Sequence, residues 1–378
     1  MNNVHPFRLL IKSLILYGIA NLAFAWFSPP LGGRTLYNWL VRGRERVPYE
    51  REVDYYPIAH TIPVFEDMDA MYNSHVLSQP KLEDEFRVFL VGDSSAWGFQ
   101  LLPQQTLAGQ INSLQVKLCD GRRVVAYNAA FPLPYLMKDL MLIDKLREFE
   151  PDLFLWRITL DAFRNRSIFT DYFLDPHSNR VRELVEEYGI ENLDLKKLKV
   201  PTLWDRTIIG QRVRLKRMLM LQVHGIGWQA TGVDFYFKDY PPLEEDQSED
   251  ETFFEVPRGE LHLDSQLFDV LGAGYQLAGE IPLLVINEPI YISTGKNKEI
   301  RYNEFYPRWA FDEYLVYLDQ WMDEGNHEYV NAWNVIPPAE FTDTPFHLTP
   351  RGEEMLASIL APEIEKLACA QGGHGIDD

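Results

Sequence analysis

The stretch Phe86-Arg-Val-Phe-Leu-Val-Gly-Asp-Ser-Ser-Ala-Trp-Gly98 constrains the fold more than any other in the chain. Val88 to Val91 form an apolar run of the kind a strand buried on both faces needs. The run stops abruptly at Gly92-Asp93-Ser94-Ser95, and residues 106–114 follow with apolar side chains at helical spacing. A strand, a tight turn and a helix put the Ser94 hydroxyl at the carboxyl end of a strand, where open α/β sheets place their chemistry.

The pattern repeats. Apolar runs at 124–130, 153–159, 282–286 and 329–333 read as further strands, and 105–116, 135–149, 307–321 and 353–369 as helices. Strands alternating with helices predict right-handed βαβ units and a mainly parallel, five-stranded sheet. Residues 164–275 interrupt the alternation as an insertion with helical stretches at 181–188, 193–198 and 201–222. The last carries Arg206, Arg212, Arg214, Lys216 and Arg217 among Ile208, Ile209, Leu215 and Leu219. The plainer reading is a cap helix with solvated charges; the other is a basic amphipathic helix lying on lipid headgroups. The run Glu244 to Glu251 reads as a solvated loop without the ligand spacing of a calcium site.

The amino terminus restricts location. From Leu9 to Phe27 the chain is apolar apart from Lys12, about the length of a membrane span, with Trp26 and Phe27 at one border. Residues 1–30 read as an uncleaved anchor; a cleaved signal peptide and a buried amphipathic helix are the competing readings. Residues 31–85, rich in proline and charge, read as an extended linker, and 86–378 as the α/β domain. Arg34, Arg42, Arg44 and Arg46 after the span favour a cytoplasmic domain by the positive-inside rule. A net charge of -20 excludes a general nucleic-acid binder. Cys119 and Cys369, the two cysteines, fit neither a metal cluster nor a disulfide framework. They read as unpaired structural residues, with one bridge as the alternative. No metal and no cofactor is expected.

Ser94 needs a base, since a free hydroxyl is a weak nucleophile. Of nine histidines, His347 sits just after a late strand, with Asp343 four residues upstream and a helix start behind it. The order Ser94, Asp343, His347 points to acyl transfer. Gly92-Asp93-Ser94 resembles the first block of the SGNH/GDSL hydrolase superfamily, and Phe341 to Gly352 its last. The resemblance covers 86–163 and 280–370 and implies a three-layer α/β/α sandwich of flavodoxin-like order. It implies Ser94 as nucleophile, His347 as base and Asp343 as its orienter. The oxyanion hole would fall to the Ser94 N–H, to Ala130 in place of the family's glycine, and to Asp161 in place of its asparagine. Asn128 stands beside this turn as a compensating polar group. Asn128 itself, with Glu288 and Arg308 after the fourth strand, is a candidate to contact substrate.

An anchored arrangement of this kind resembles SGNH-like proteins that work with membrane-bound O-acyltransferases on extracellular glycans. That implies an acyl ester or glycan substrate, an extracytoplasmic domain against the arginine count, and such an acyltransferase as partner. The alternative is a catalytically weak SGNH-like module that binds glycan or docks on the membrane enzyme.

Overall fold

The computed structural model describes residues 5–29, 35–48, 67–164, 174–193, 195–232, 240–263 and 266–372. Five strands form its sheet: β1 (Glu85–Val91), β2 (Arg123–Asn128), β3 (Leu153–Ile158), β4 (Leu283–Asn287) and β5 (Tyr329–Asn331). Their order is β2-β1-β3-β4-β5 and every pairing is parallel. β1 is buried along its whole length, as its continuous apolar run requires. It pairs with β2 through Leu90–Asn128 and with β3 through Val91–Trp156. The chain therefore reverses direction across the sheet at β1, and Gly92 to Ser95 sit at that switch point.

The helices are α1 (Pro6–Phe27), α2 (Leu36–Leu40), α3 (Met68–Ser74), α4 (Ser94–Trp97), α5 (Leu107–Ser113), α6 (Leu136–Leu146), α7 (Ser178–Tyr188), α8 (Arg212–Met220), α9 (Ile226–Thr231), α10 (Phe268–Ala278), α11 (Arg308–Glu324) and α12 (Pro350–Gly372). α5 packs beside α12, and α6 beside α10, with the sheet between the two pairs. This is the α/β/α arrangement expected, with an apolar helix at the amino terminus. α10 has no counterpart in the sequence reading, because Gly272, Gly274 and Gly279 weaken its helical signature. Packing explains one of them: a Cβ on Gly274 would stand 2.2 Å from the Trp156 ring. The helix that covers β3 and β4 can approach only with glycine there.

Two expectations are corrected. The segment read as a linker packs on the domain wherever it is described: Tyr37, Val41, Val47, Tyr72 and Leu77 belong to the hydrophobic core. Its prolines and charges mask aromatic residues whose burial outweighs the cost of ordering the chain. Residues 31–34 and 49–66 of that expectation lie outside the described residues. The cysteines are joined: Cys119 and Cys369 form a disulfide with Cα atoms 5.9 Å apart. The bridge ties the loop before β2 to α12 across 250 residues of chain. Closing so long a loop restricts the unfolded state, and removing it with paired serines is expected to cost about 2–5 kcal/mol. An unchanged thermal midpoint in the Cys119→Ser/Cys369→Ser chain would exclude that contribution.

Candidate active site

The site is built on the turn after β1. Gly92 has φ +154°, and a Cβ there would lie 2.8 Å from the Ala96 Cβ and 2.9 Å from the Arg157 carbonyl oxygen. Only glycine lets the strand turn this sharply against β3. Asp93 then caps α4, its carboxylate accepting from the Ser95 N–H at 2.8 Å and the Ser95 hydroxyl at 2.7 Å. Ser94, the first residue of α4, is left half-buried, and among the described residues its N–H has no acceptor.

His347 and Asp343 arrive from the far end of the chain. The loop between β5 and α12 closes as a narrow hairpin, with a bridge between Phe341 and Leu348 and the Thr342 N–H donating to the His347 carbonyl at 2.9 Å. This fold-back absorbs the three residues between aspartate and histidine. His347 Nδ1 lies 3.0 Å from Asp343 Oδ1, and Nε2 lies 2.9 Å from Ser94 Oγ. The three side chains form one hydrogen-bonded line. Burial pushes the Asp343 carboxyl up, but the hydrogen bond and charge of His347 and the Thr342 hydroxyl outweigh it, holding it below its ordinary value. Phe99 packs against the imidazole at 5.0 Å between centroids, and Tyr240 lies against Phe99. Such a carboxylate–imidazole–hydroxyl line can lower the barrier to proton loss from Ser94.

The other residues marked in the sequence take different places. Asn128 is buried and holds backbone: its amide donates to the carbonyls of Ala96 at 2.9 Å and Trp97 at 3.1 Å, and its oxygen accepts from the Ala130 N–H at 3.3 Å. It supports the turns instead of facing a substrate, and it engages the Ala130 N–H. Asp161 forms an ion pair with Arg164 at 3.0 Å, while its N–H donates to the Tyr306 hydroxyl at 3.2 Å. Arg308 donates to the Lys298 carbonyl and stacks on the Tyr302 ring at 4.2 Å, so its cation serves the start of α11.

Glu288 lies beneath the nucleophile turn, 1% exposed. It is hydrogen-bonded to the Ser95 hydroxyl, and its carboxyl group meets Arg157 Nε at 3.1 Å. Arg157 also reaches Glu353, at the start of α12, at 3.1 Å, and the Ser95 carbonyl at 3.3 Å. Burial pushes Glu288 well above the usual carboxylate range; the Asp93 charge adds to this and Arg157 opposes it. Burial raises Glu353 too, against Arg157. Sequence reasoning passed over Arg157 and Glu353. The available signal was an arginine inside an apolar strand, which demands buried acids as partners. Lys138 is a second buried cation that was missed. Its ammonium donates to the carbonyls of Gly92 at 2.7 Å and Phe131 at 2.8 Å, joining the turns after β1 and β2.

The residues before β1 brace the same turns. Arg46 donates to the carbonyls of Trp97 at 3.1 Å, Gly98 at 2.7 Å and Leu101 at 2.8 Å, and stacks on the Trp97 ring. The Tyr72 hydroxyl donates to the Ala129 carbonyl at 2.7 Å. His75 donates through Nε2 to the Asn128 carbonyl at 3.0 Å, while Nδ1 accepts from the Leu77 N–H at 3.1 Å. Burial holds His75 down to about 4, with the Asn128 hydrogen bond opposing. Below its ordinary value of 6.5 the unfolded chain takes a proton that the folded chain refuses, so this stability is lost as pH falls from 6.5 toward 4. Between pH 7 and 5 the wild type should lose about 2 kcal/mol more than His75→Gln, read from urea midpoints. Equal losses would mean that His75 is not held neutral.

No protein-family model matches the chain, and no curated protein does. Among solved structures it is similar to a carbohydrate acetylesterase family member from Sinorhizobium meliloti, 11% identical, covering 75% of this chain and 98% of that one at a TM-score of 0.32. It is also similar to the native M. smegmatis aryl esterase, 11% identical, covering 74% and 99% at a TM-score of 0.32. At this similarity neither neighbour bears on the chemistry.

Proposed function

We propose that this chain is a membrane-anchored serine ester hydrolase or O-acyltransferase acting on small acyl esters, acetyl groups of cell-surface glycans among them. The observation that carries the reading is the line from Asp343 through His347 to Ser94 Oγ, at 3.0 and 2.9 Å. Asp343 fixes the tautomer with the proton on Nδ1, leaving Nε2 to accept the Ser94 proton. The Ser94 oxygen attacks the ester carbonyl, and the Ser94 N–H donates to the oxyanion as it forms. Collapse of the intermediate expels the alcohol, which takes the proton from Nε2, and leaves acyl-Ser94. Water or a glycan hydroxyl then gives its proton to Nε2 and takes the acyl group, and Nε2 returns that proton to the departing Ser94 oxygen.

The anchored, extracytoplasmic placement draws support from α1, which is long and apolar enough to cross a membrane, and from the disulfide, which persists in oxidising compartments. A membrane-bound O-acyltransferase is the partner this placement suits.

A second reading is a catalytically weak module serving such a partner. It is favoured by the Ala130 N–H and the Asp161 carboxylate, each engaged by its own neighbours. Loss of one oxyanion donor costs about 10²–10³ in rate. Fluorophosphonate labelling separates the readings. The first expects covalent label mapped to Ser94 and none in Ser94→Ala; equal labelling, or none in either, sides with the second.

A further inference from the structure

We infer that the face formed by α1 and α8 binds an anionic phospholipid of the bilayer, in a groove between the two helices; this rests on the anchored reading of α1. The groove encloses about 530 Å³. Tyr17 of α1 lines one wall, and Ile209, Leu219 and Val223 line the other. Arg212 and Lys216 also line it, which gives an apolar trough with two cations.

The charge around it is opposite to that of the chain. From Lys196 to Arg217 lysines and arginines recur, and the sole acid between residues 195 and 232 is Asp205, which is bound to Lys199 at 2.8 Å. The whole chain carries -20. A basic face on a strongly acidic protein is drawn to an anionic leaflet and sets the rest of the surface away from it.

Depth supplies a second argument. The packing lies along the body of α1 and not at its end: Asn21 is buried there and accepts from the Ile209 N–H at 3.1 Å. A segment packed against a span at that level sits below the headgroup surface. Its own side chains match such a place, since Val200, Leu203, Trp204, Val213, Leu219 and Val223 are all exposed large apolar groups. Arginine and lysine stems can run along this apolar surface while their heads reach phosphate. An acyl chain fits the trough, and the phosphate meets Arg212 and Lys216.

The test is native mass spectrometry of the full chain in nonionic detergent, titrated with phosphatidylglycerol or phosphatidylcholine. Phosphatidylglycerol should remain bound at concentrations at least tenfold below phosphatidylcholine. Arg212→Gln/Lys216→Gln should lower its occupancy roughly tenfold or more while leaving the thermal midpoint unchanged. Equal retention of the two lipids, or undiminished phosphatidylglycerol on the double variant, overturns the inference. Carbonate extraction of membranes carrying the chain tests α1 separately. Release into the supernatant defeats the anchored reading, and the lipid measurement in detergent is scored independently of it.

Discussion

Ser94→Ala, His347→Ala and the double variant should all lose about 10⁴-fold or more in turnover of p-nitrophenyl acetate, and the double loss should be no larger than the greater single loss. The hydroxyl and the imidazole share one proton across 2.9 Å, so removing either ends the same step. Asp343→Asn should keep the fold and lose less, because its role is to fix the tautomer on Nδ1. Losses that add between Ser94 and His347 would show that the two act in separate steps. Unchanged turnover in Ser94→Ala would remove the acyl-serine mechanism.

The second large effect is on stability. Arg157→Met strands Glu288 and Glu353, two acids within 1% of full burial, without their cation. Breaking a buried pair from one side costs about 3–5 kcal/mol, which for a chain of this size lowers the thermal midpoint by roughly 5 °C. Adding Glu288→Gln and Glu353→Gln to Arg157→Met should recover most of the loss, since the stranded charges go with them. The pH dependence has a fixed sign. Both carboxyls are raised in the folded state, so their protonated forms favour folding at low pH and that advantage is lost as pH rises. The deficit of Arg157→Met should therefore shrink toward pH 4. A single variant as stable as wild type at neutral pH would mean that the arginine does not hold these acids.

The strands were legible because β1, β3 and β4 are runs buried along their whole length and punctuated by turns, a signal that needs no partner to be read, and the partly exposed edge strands β2 and β5 fit the same alternation. Ser94, Asp343 and His347 were legible because turn chemistry places their backbones. Burial of polar groups was not. Asn128 and Glu288 look like site residues in a sequence because they are polar at strand ends; in the fold they face inward and hold backbone or a guanidinium. Their destinations depend on Arg157, Ala96 and Trp97, which are distant in sequence. The Cys119–Cys369 pairing is hidden for the same reason, since nothing local links residues 250 apart. Tyr37, Tyr72 and Arg46 show the converse error. Proline and charge nearby suggested a free coil, and composition carries no record of the surface those side chains fill.

Arg46 alters what an anchor can do here. A loose coil over residues 31–85 would let the catalytic domain roam roughly 40 Å from the bilayer. Instead the chain is docked again by Tyr37 and clamped to the end of α4 by Arg46. Residues 29 and 35 are six peptide links apart, a reach of at most about 20 Å. On the anchored reading proposed above, Ser94 would keep a nearly constant altitude over the lipid. The proposed acyl transfer would then select acceptors by height as well as chemistry, favouring hydroxyls presented within one narrow layer above the membrane.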